Sequence, residues 1–370
     1  MTNRAIAHAR LRNSRLVGPP LESPEDVVAW FGAVQSQDVP GSLWGIAQRL
    51  NRGASGEQTI DELGAAMDAG RFVRTHGPRP TWHFLAPSDL RWILGLVGPR
   101  VARTMGTVAR RFRLSTDDVA QAVAAMRSAM AGGVALTRPE LRDLIASVGI
   151  DVSETFVTGV VGMHAELEAV ICNGPRRGRQ ATFVLVDDWV RPAPPVAPAD
   201  ALRELTIRYF RSHGPALAHD MAWWSGLTVG SVREGIALAG ATLEGRPIGG
   251  KEYWAAAGAF DPEPGVVPQP HVALLPNYDE AFGSYRDYSP VLDDALPRAR
   301  TTADVLGTHL VVCDGLVVGG WRRVLGPTSV TVTATLLVPL GAPEIDALAA
   351  AADRFGRFLG RPVELEIRPA

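Results

Sequence analysis

The chain has 370 residues, of which 46% are hydrophobic and 21% are charged, with a formal net charge of −2. These values are typical of a soluble, well-cored protein of two or three domains, and no apolar run is long enough to predict a membrane span. They exclude a strongly basic protein, so a nucleic-acid-binding surface would have to come from local clustering of the 37 basic residues.

Cysteine use and motif content bear on compartment and chemistry. The two cysteines, Cys172 and Cys313, argue against a disulfide framework and against a cysteine-based metal site. His164 and Glu166 resemble metal ligands, but a helix would point them apart. No phosphate-binding glycine-rich loop or nucleophile elbow occurs, and the N-terminus turns polar too early for a secretory signal. We therefore expect a cytoplasmic protein with no metal and no cofactor.

Residues 1–87 predict helices followed by a β-hairpin. The predicted helices cover 3–16, 24–36, 43–50 and 59–69. The second has the clearest start, because Ser23 can accept from backbone N–H groups, Pro24 needs no N–H, and acidic residues follow. The predicted strands cover 71–75 and 81–85, around a Gly-Pro-Arg-Pro turn. Helices closed by a hairpin are the plan of a winged-helix unit.

Two further segments, 88–198 and 199–262, repeat this order of helices and hairpin. In the first, helices are predicted over 88–131, 137–147 and 154–172, with a wing at 174–186. In the second, helices are predicted over 200–212, 216–224 and 229–238, with strands at 242–243 and 251–254. A proline-rich stretch at 191–198 is typical of a linker between the two segments.

Residues 263–370 are mostly strand-like. The predicted strands cover 271–275, 309–313, 316–321, 329–337 and 362–367, with one helix at 344–358. The sequence therefore predicts an α+β protein of three tandem winged-helix units and a β-rich C-terminal part. A threefold repeat of one unit also favours a curved, extended surface.

The stretch that ends the second predicted helix contains Gln35, Gln37 and Asp38, just before a Pro-Gly break. The two glutamines would lie about 200° apart on a helix but would share a side on an extended segment. Taken alone, this spacing favours two polar residues that cap a helix end. Asp38 is the nearest carboxylate and the auxiliary candidate for a base.

Basic and aromatic side chains cluster at three other places, and each allows a structural or a nucleic-acid-binding interpretation. The first hairpin is either a core hairpin with a solvated polar face or a DNA-facing wing; its candidates are Arg74, His76, Arg79, Thr81, Trp82 and His83. The second wing is either an ordinary charged turn or a phosphate contact; its candidates are Arg176, Arg177 and Arg179. The third place is a loop with Tyr278 and Arg286, which either packs on itself or leans on a base.

Several of these segments resemble signatures of the AlkZ-like winged-helix proteins, in order along nearly the whole chain. The matching segments are 71–76 with 79–84, 164–167 with 172–174, 222–227, 275–280, and 314–315 with 321–323. The resemblance implies three tandem winged helices around a concave DNA-binding surface, and it adds Arg322 and Arg323 to the DNA-binding candidates. The resemblance also implies a monofunctional DNA glycosylase that removes bulky alkylated purines, including interstrand crosslinks, as self-resistance to a genotoxic antibiotic.

In that family the AlkZ branch is marked by a catalytic Gln-x-Gln, which falls here on Gln35 and Gln37. A sister branch, the YcaQ-like proteins, has Gln-x-Asp, so the resemblance favours a bulky natural-product adduct of the azinomycin or trioxacarcin type over simple mustard lesions. The expected partner is double-stranded DNA with an alkylated purine, bound by a monomer without a membrane. Two rivals stay open: a non-catalytic winged-helix regulator, and a protein that sequesters the free drug.

Overall fold

The computed structural model describes residues 2–51, 56, 58–260, 270–292 and 309–369, and these form a mixed α+β fold. The helices are α1 Asn3–Asn13, α2 Pro24–Phe31, α3 Val39–Ala47, α4 Ile60–Asp68, α5 Leu90–Arg111, α6 Thr116–Ala129, α7 Arg138–Ser147, α8 Thr155–Leu167, α9 Val186–Trp189, α10 Pro198–His213, α11 Ala218–Ser225, α12 Val229–Ala239, α13 Glu280–Gly283 and α14 Ala342–Leu359. The strands are β1 Val34–Gln35, β2 Val73–His76, β3 Trp82–Leu85, β4 Leu136–Thr137, β5 Ile171–Arg177, β6 Gln180–Leu185, β7 Leu243–Ile248, β8 Lys251–Ala256, β9 Val272–Leu275, β10 His309–Cys313, β11 Leu316–Leu325, β12 Val330–Leu336 and β13 Val363–Pro369. Across these ranges, no helix has the length and apolar character needed to cross a membrane.

The N-terminal helices lead into a small antiparallel sheet of order β1-β3-β2. Helix α2 starts as predicted, with a capping box between Ser23 and Asp26. It ends at Phe31, earlier than predicted, because Gly32 takes a φ of 81° that stops the helix. The chain then becomes extended, so Gln35 lies in a strand and pairs with His83 of β3.

The second segment has its own three-stranded sheet of order β4-β6-β5 and a separate apolar core formed mainly by α6, α7 and α8. The predicted helix over 154–172 was too long. Helix α8 ends at Leu167, and Ala169 has a φ of 54°, so β5 can begin at Ile171.

The third segment packs α10, α11 and α12 against the β7–β8 hairpin. Its apolar core is continuous with α5 and with one face of the first sheet, and Tyr209 and Trp224 are fully buried there. Gly226 ends α11 in the left-handed conformation that the turn into α12 requires.

The C-terminal region forms a five-stranded sheet of order β13-β12-β11-β10-β9, in which only the β12–β13 pair is parallel and α14 provides the crossover. Helix α1 packs on one face of this sheet. The other face shares a core with the N-terminal helices, where Trp44 Nε1 donates to the Leu274 carbonyl at 2.7 Å. This shared core brings the loop after β9 against Gln35. The domain boundaries at 87, 198 and 262 stay predictions.

Candidate active site

Gln35 lies in the edge strand β1 and is only 6% exposed. Its carbonyl accepts from the Ser42 hydroxyl at 2.7 Å, and its Nε2 lies 3.4 Å from Thr81 Oγ1. Its Oε1 is buried and has no hydrogen-bond partner among the described residues. The side chain therefore presents an unused acceptor from a backbone position that is held on both sides.

A buried carboxylate fixes the Gln35 backbone. Glu280 Oε1 accepts from the Gln35 N–H at 2.7 Å, while Oε2 accepts from His213 Nε2 and Trp224 Nε1, each at 3.1 Å. The Ser284 hydroxyl donates to the same oxygen. Burial alone would raise the pKa of Glu280, but these donors and His213 lower the pKa to about 2. Glu280 is therefore a carboxylate that joins α10, α11 and β1.

The loop that contains Glu280 is held by a second buried pair. The Arg49 guanidinium binds the Asp279 carboxylate in bidentate fashion, at 2.7 and 3.0 Å. Helix α3 lets the loop approach because it presents glycine: a Cβ at Gly45 would lie 2.8 Å from Asp279 Oδ2, and one at Gly41 would lie 3.1 Å from Pro276 Cβ. Both ends of the loop are thus anchored against the helix that follows the Gln-x-Gln segment.

Gln37 and Asp38 differ from Gln35 in their surroundings. Gln37 is exposed in a bend two residues beyond the end of β1, so neither glutamine lies in a helix. Asp38 is half-buried, and its Oδ2 lies 3.7 Å from an Arg323 nitrogen. The three residues therefore offer a buried amide, a solvent-facing amide and a carboxylate already paired with a cation.

The first hairpin surrounds Trp82 with cationic and polar groups. The Arg74 guanidinium lies 4.3 Å from the Trp82 ring centroid, and the His76 ring lies 4.4 Å from it. Arg74 also donates to the Ser36 carbonyl at 3.1 Å, and His76 pairs with the buried Glu166 of α8. Burial lowers the pKa of Arg74 to about 10.

His76 and His83 require a correction to the sequence interpretation. Both were expected to contact DNA, but His76 is buried against Glu166 and His83 has no exposed surface at all. The reason is that the hairpin is packed on both faces, by α8 on one and by the core around α5 and α10 on the other. We therefore do not retain the two rings as direct DNA contacts.

Arg79, at the hairpin turn, reaches the third segment. Its guanidinium lies 4.1 Å from the ring centroid of Trp223, whose side chain stays partly exposed. Burial lowers the pKa of Arg79, and the nearby Glu280 carboxylate acts in the opposite direction. The half-buried Thr81 precedes β3, and the half-buried Trp82 begins it.

The other candidate cations lie at the surface. In the second wing, Arg176 holds Asp68 of α4 at 2.8 Å and Arg177 holds Glu140 of α7 at 2.7 Å. The remaining candidates in this group, Arg179, Arg286 and Arg322, are exposed, and their side chains make no hydrogen bond or ion pair within the described ranges. The structure does not gather these side chains around Gln35; it distributes them over separate loops and hairpins.

Comparison with known proteins decides the family. The sequence model described as DNA glycosylase AlkZ-like matches residues 28–358. The chain belongs to the AlkZ-like DNA glycosylase family. A curated relative from Streptomyces sahachiroi, named an interstrand DNA cross-link repair glycosylase, is 26% identical over 325 residues, which are 82% of each chain. The solved structure of Streptomyces sahachiroi DNA glycosylase AlkZ superposes with a TM-score of 0.78 at 22% identity and covers all of both chains. The predicted family, enzyme class and α+β fold are therefore confirmed.

In this AlkZ-like chain, several residues around the site were not anticipated from the sequence. They are Glu280, Asp279, Arg49, His213, Trp224 and Trp223. Two of the family signatures contain four of them, since 275–280 ends in Asp-Glu and 222–227 contains the Trp-Trp pair. The signal that the sequence offers is the presence of carboxylates and tryptophans inside two of the signatures. No group of three potential metal-ligating side chains (His, Cys, Asp or Glu) comes together in the part of the chain that the structure describes.

Proposed function

We propose that this AlkZ-like protein hydrolyses the N-glycosidic bond of bulky N7-alkylated purines in double-stranded DNA. It would act as a monofunctional glycosylase, on natural-product adducts and interstrand crosslinks, in self-resistance to a genotoxic antibiotic. The observation that supports it most directly is Gln35, a buried amide with an unused oxygen whose backbone is fixed by Glu280. The name of the Streptomyces sahachiroi relative supports the crosslink as a substrate.

The chemistry requires little acid catalysis. Alkylation at N7 makes the purine cationic, so it can leave the sugar without prior protonation. The enzyme must then hold a water beneath the anomeric carbon and tolerate an oxocarbenium-like transition state. A neutral carboxamide meets both needs, because its oxygen accepts from the water without adding charge. The fixed Gln35 backbone keeps that oxygen in place during the reaction.

Gln37 takes a different role in this proposal. It is exposed in a bend two residues beyond the end of β1, so we assign it a contact with the sugar or phosphate next to the lesion. Asp38 ranks below both glutamines as a site residue, because its carboxylate already faces Arg323 and lies at the N-terminus of α3.

The DNA would bind along three winged-helix units, here proposed as 1–87, 88–198 and 199–262, with 263–370 as the C-terminal part. The exposed arginines of the second wing and of the C-terminal loops would hold phosphates, and Arg74, Arg79, Thr81 and Trp82 would face the lesion strand. Arg323 and Tyr278 flank the Gln-x-Gln segment from the C-terminal side. An extended surface suits a crosslinked base, which cannot be flipped freely because its partner strand is attached.

The test uses a duplex with one defined bulky N7-alkylguanine, incubated with excess protein and scored for abasic sites. Parent protein should release the base, whereas Gln35→Ala and Gln37→Ala should retain their fold and DNA affinity and lose base release. If both variants release the base at the parent rate, the assigned roles are wrong. If parent protein binds undamaged DNA of one sequence and releases nothing, the regulator replaces the glycosylase; tight binding of free drug without base release would indicate sequestration.

A further inference from the structure

Helix α5 carries a row of arginines outside the candidate active site. Arg100, Arg103 and Arg110 lie within about 80° of one another around the helix axis, because residues three, seven and ten positions apart share a helical face. All three are exposed, whereas Val101 and Ala109 on the opposite side are buried. These three residues, here called the α5 arginine row, span about 15 Å at a rise of 1.5 Å per residue.

The helix provides no negative charge to balance this row. Acidic residues are as frequent as basic residues in the whole chain, 39 against 37, yet none occurs between Asp89 and Asp117. A helix face that only contacts solvent usually carries charges of both signs. The one-signed composition of α5 therefore favours an anionic partner over a purely solvated face.

The surrounding structure does not neutralise the row either. Arg100 donates to the Gly226 carbonyl at 2.6 Å, and Arg110 donates to the Thr107 hydroxyl at 3.0 Å, so both acceptors are uncharged. Arg103 makes no side-chain hydrogen bond in the described part of the chain, and none of the three arginines has a carboxylate partner there. Their positive charges are thus available to an anion that approaches from solvent.

The helix dipole explains at most one of the three arginines. A cation near a helix C-terminus is favourable, but the effect falls off within the last turn. Arg110 lies in the last turn of α5, whereas Arg100 and Arg103 lie about two turns or more before its end. Arg111 and Arg113 are not counted in the row, because the groove that they line also contains carboxylates.

The α5 arginine row begins beside the first hairpin. The Gly226 turn, which accepts from Arg100, packs on that hairpin: a Cβ at Gly226 would lie 3.1 Å from the Pro78 carbonyl oxygen. Arg79 follows Pro78 and lies 4.1 Å from the ring centroid of Trp223, which is 38% exposed. The row therefore continues, along α5, from the hairpin turn that carries Arg79.

We propose that the α5 arginine row binds the backbone phosphates of one DNA flank, on one side of the lesion. Each strand presents a phosphate about every 3.4 Å along the duplex axis, so a row of this length can meet several phosphates. Guanidinium groups bind phosphate oxygens in bidentate fashion. The inference rests on the proposed function, because the partner is the duplex whose lesion strand the hairpin would face. Phosphate contacts carry no sequence information, so the binding should not depend on sequence.

Arg103→Gln and Arg110→Gln, combined in one variant, remove two charges and leave the Arg100 contact with Gly226 intact. We expect affinity for an undamaged duplex to fall roughly 10- to 100-fold at low salt, and the slope of log affinity against log salt to fall by about two. The matched control combines Arg203→Gln and Arg357→Gln, which are exposed on α10 and α14 and change the net charge equally. Fluorescence anisotropy measures binding, and thermal unfolding should be unchanged in both variants.

Trimmed duplexes locate the contact on the DNA. The probe is a duplex with one bulky N7-alkylguanine, made uncleavable by a 2′-fluoroarabino sugar and shortened to a few base pairs on one flank or on the other. Shortening one flank should weaken binding by the parent protein, and shortening the other should not. The variant without Arg103 and Arg110 should lose nothing further on the flank to which the parent is sensitive, because the two changes remove the same contact.

Three results would overturn the inference. Equal losses of affinity in the two double variants would show a general effect of net charge, and parent-like binding by the α5 variant would leave the row for an acidic protein. Slower base release by the α5 variant at saturating protein would show that the row acts on the reaction instead of on binding; we expect the parent rate there. Failure of the parent protein to release any base, with the flank effect intact, would overturn the proposed glycosylase and leave the α5 contact standing.

Discussion

Two glutamates in this protein, Glu280 and Glu140, have pKa values of about 2 because each accepts hydrogen bonds. Losing one carboxylate would nevertheless have a different consequence from losing the other. Glu280 is buried, and its donors, among them His213, Ser284 and the Gln35 N–H, outweigh the cost of burial. Glu140 keeps 44% of its side chain exposed and owes its low pKa to the Thr137 N–H first and then to Arg177. Removing the first carboxylate would leave buried donors without an acceptor, whereas water can replace the second.

The difference separates two kinds of region in an AlkZ-like protein. Around Gln35 the charges are paired inside the core and determine where atoms lie. At the second wing the charges are paired at the surface. There a DNA phosphate could replace the carboxylate that pairs with an arginine at little cost in free energy. In the proposed function, the first region breaks the glycosidic bond and the second contacts the DNA backbone.

The largest effect that tests this difference between buried and exposed carboxylates is expected for Glu280→Gln. The variant keeps the shape of the side chain but loses the carboxylate that accepts from Gln35, His213 and Trp224. We expect the free energy of unfolding to fall by about 3 kcal/mol, and base release to fall with it as Gln35 loses its position. Urea unfolding and single-turnover assays measure the two effects.

Glu140→Gln is the control for that experiment, because its ion pair with Arg177 is exposed. Its unfolding transition should coincide with that of the parent. Equal stability losses in the two variants would show that burial does not distinguish the two carboxylates, and the contrast drawn above would fail.

The pH dependence of stability is a second test of the ionised Glu280 carboxylate. The Glu280 pKa is about 2 in the folded protein against an ordinary value of 4.5, so below pH 4.5 the unfolded chain binds a proton that the folded chain does not. The stability from this group is fully present above pH 4.5 and is lost as pH falls towards 2.

We therefore expect the stability gap between parent and Glu280→Gln to be constant from pH 7 to 5 and to shrink at pH 3. Urea titrations of both proteins at each pH measure it, and the groups that they share, Glu140 included, cancel in the difference. A gap of the same size at pH 3 as at pH 7 would mean that the carboxylate is not held ionised by its donors.

Local signals in the sequence predict much of the first region, and long-range contacts explain what they miss. Ser23 and Pro24 predict the start of α2. The predicted order of helices and hairpins is close to the observed order. The end of α2 is missed because the sequence does not show that Gly32 adopts a positive φ, as glycine can but need not do. Gln35 thus changes from a helix end to a strand.

The hydrogen bond from the Gln35 backbone to Glu280 could not be predicted from sequence spacing. Glu280 lies 245 residues from Gln35 and meets it only because the C-terminal sheet shares a core with the N-terminal helices. Alternation along β3 does predict that Thr81 and His83 share a face. It cannot tell that both faces of the hairpin are covered, and this is why His83 is buried instead of facing DNA.

A smaller effect is expected at the second wing. Arg177→Ala should weaken binding to any duplex by roughly three- to tenfold at low salt and reduce the slope of log affinity against log salt by about one. Thermal unfolding should not change. Fluorescence anisotropy across salt concentrations measures the slope, and Arg357→Ala, exposed on α14, is the control. An unchanged slope in Arg177→Ala would remove the wing from the proposed DNA surface.

The last prediction concerns Tyr278, which is 45% exposed and has a φ of 65°. Glycine relieves this backbone strain but makes the unfolded chain more flexible, so Tyr278→Gly should remain within about 1 kcal/mol of the parent in unfolding free energy. Ala169→Gly, with a φ of 54°, is the matched control away from the site. If Tyr278 is kept strained because its ring contacts DNA, only Tyr278→Gly should lose affinity for adducted duplex. Equal affinities in the two variants would leave the Tyr278 conformation as a feature of the loop that positions Glu280, and would move DNA recognition near Gln35 to the hairpin around Trp82.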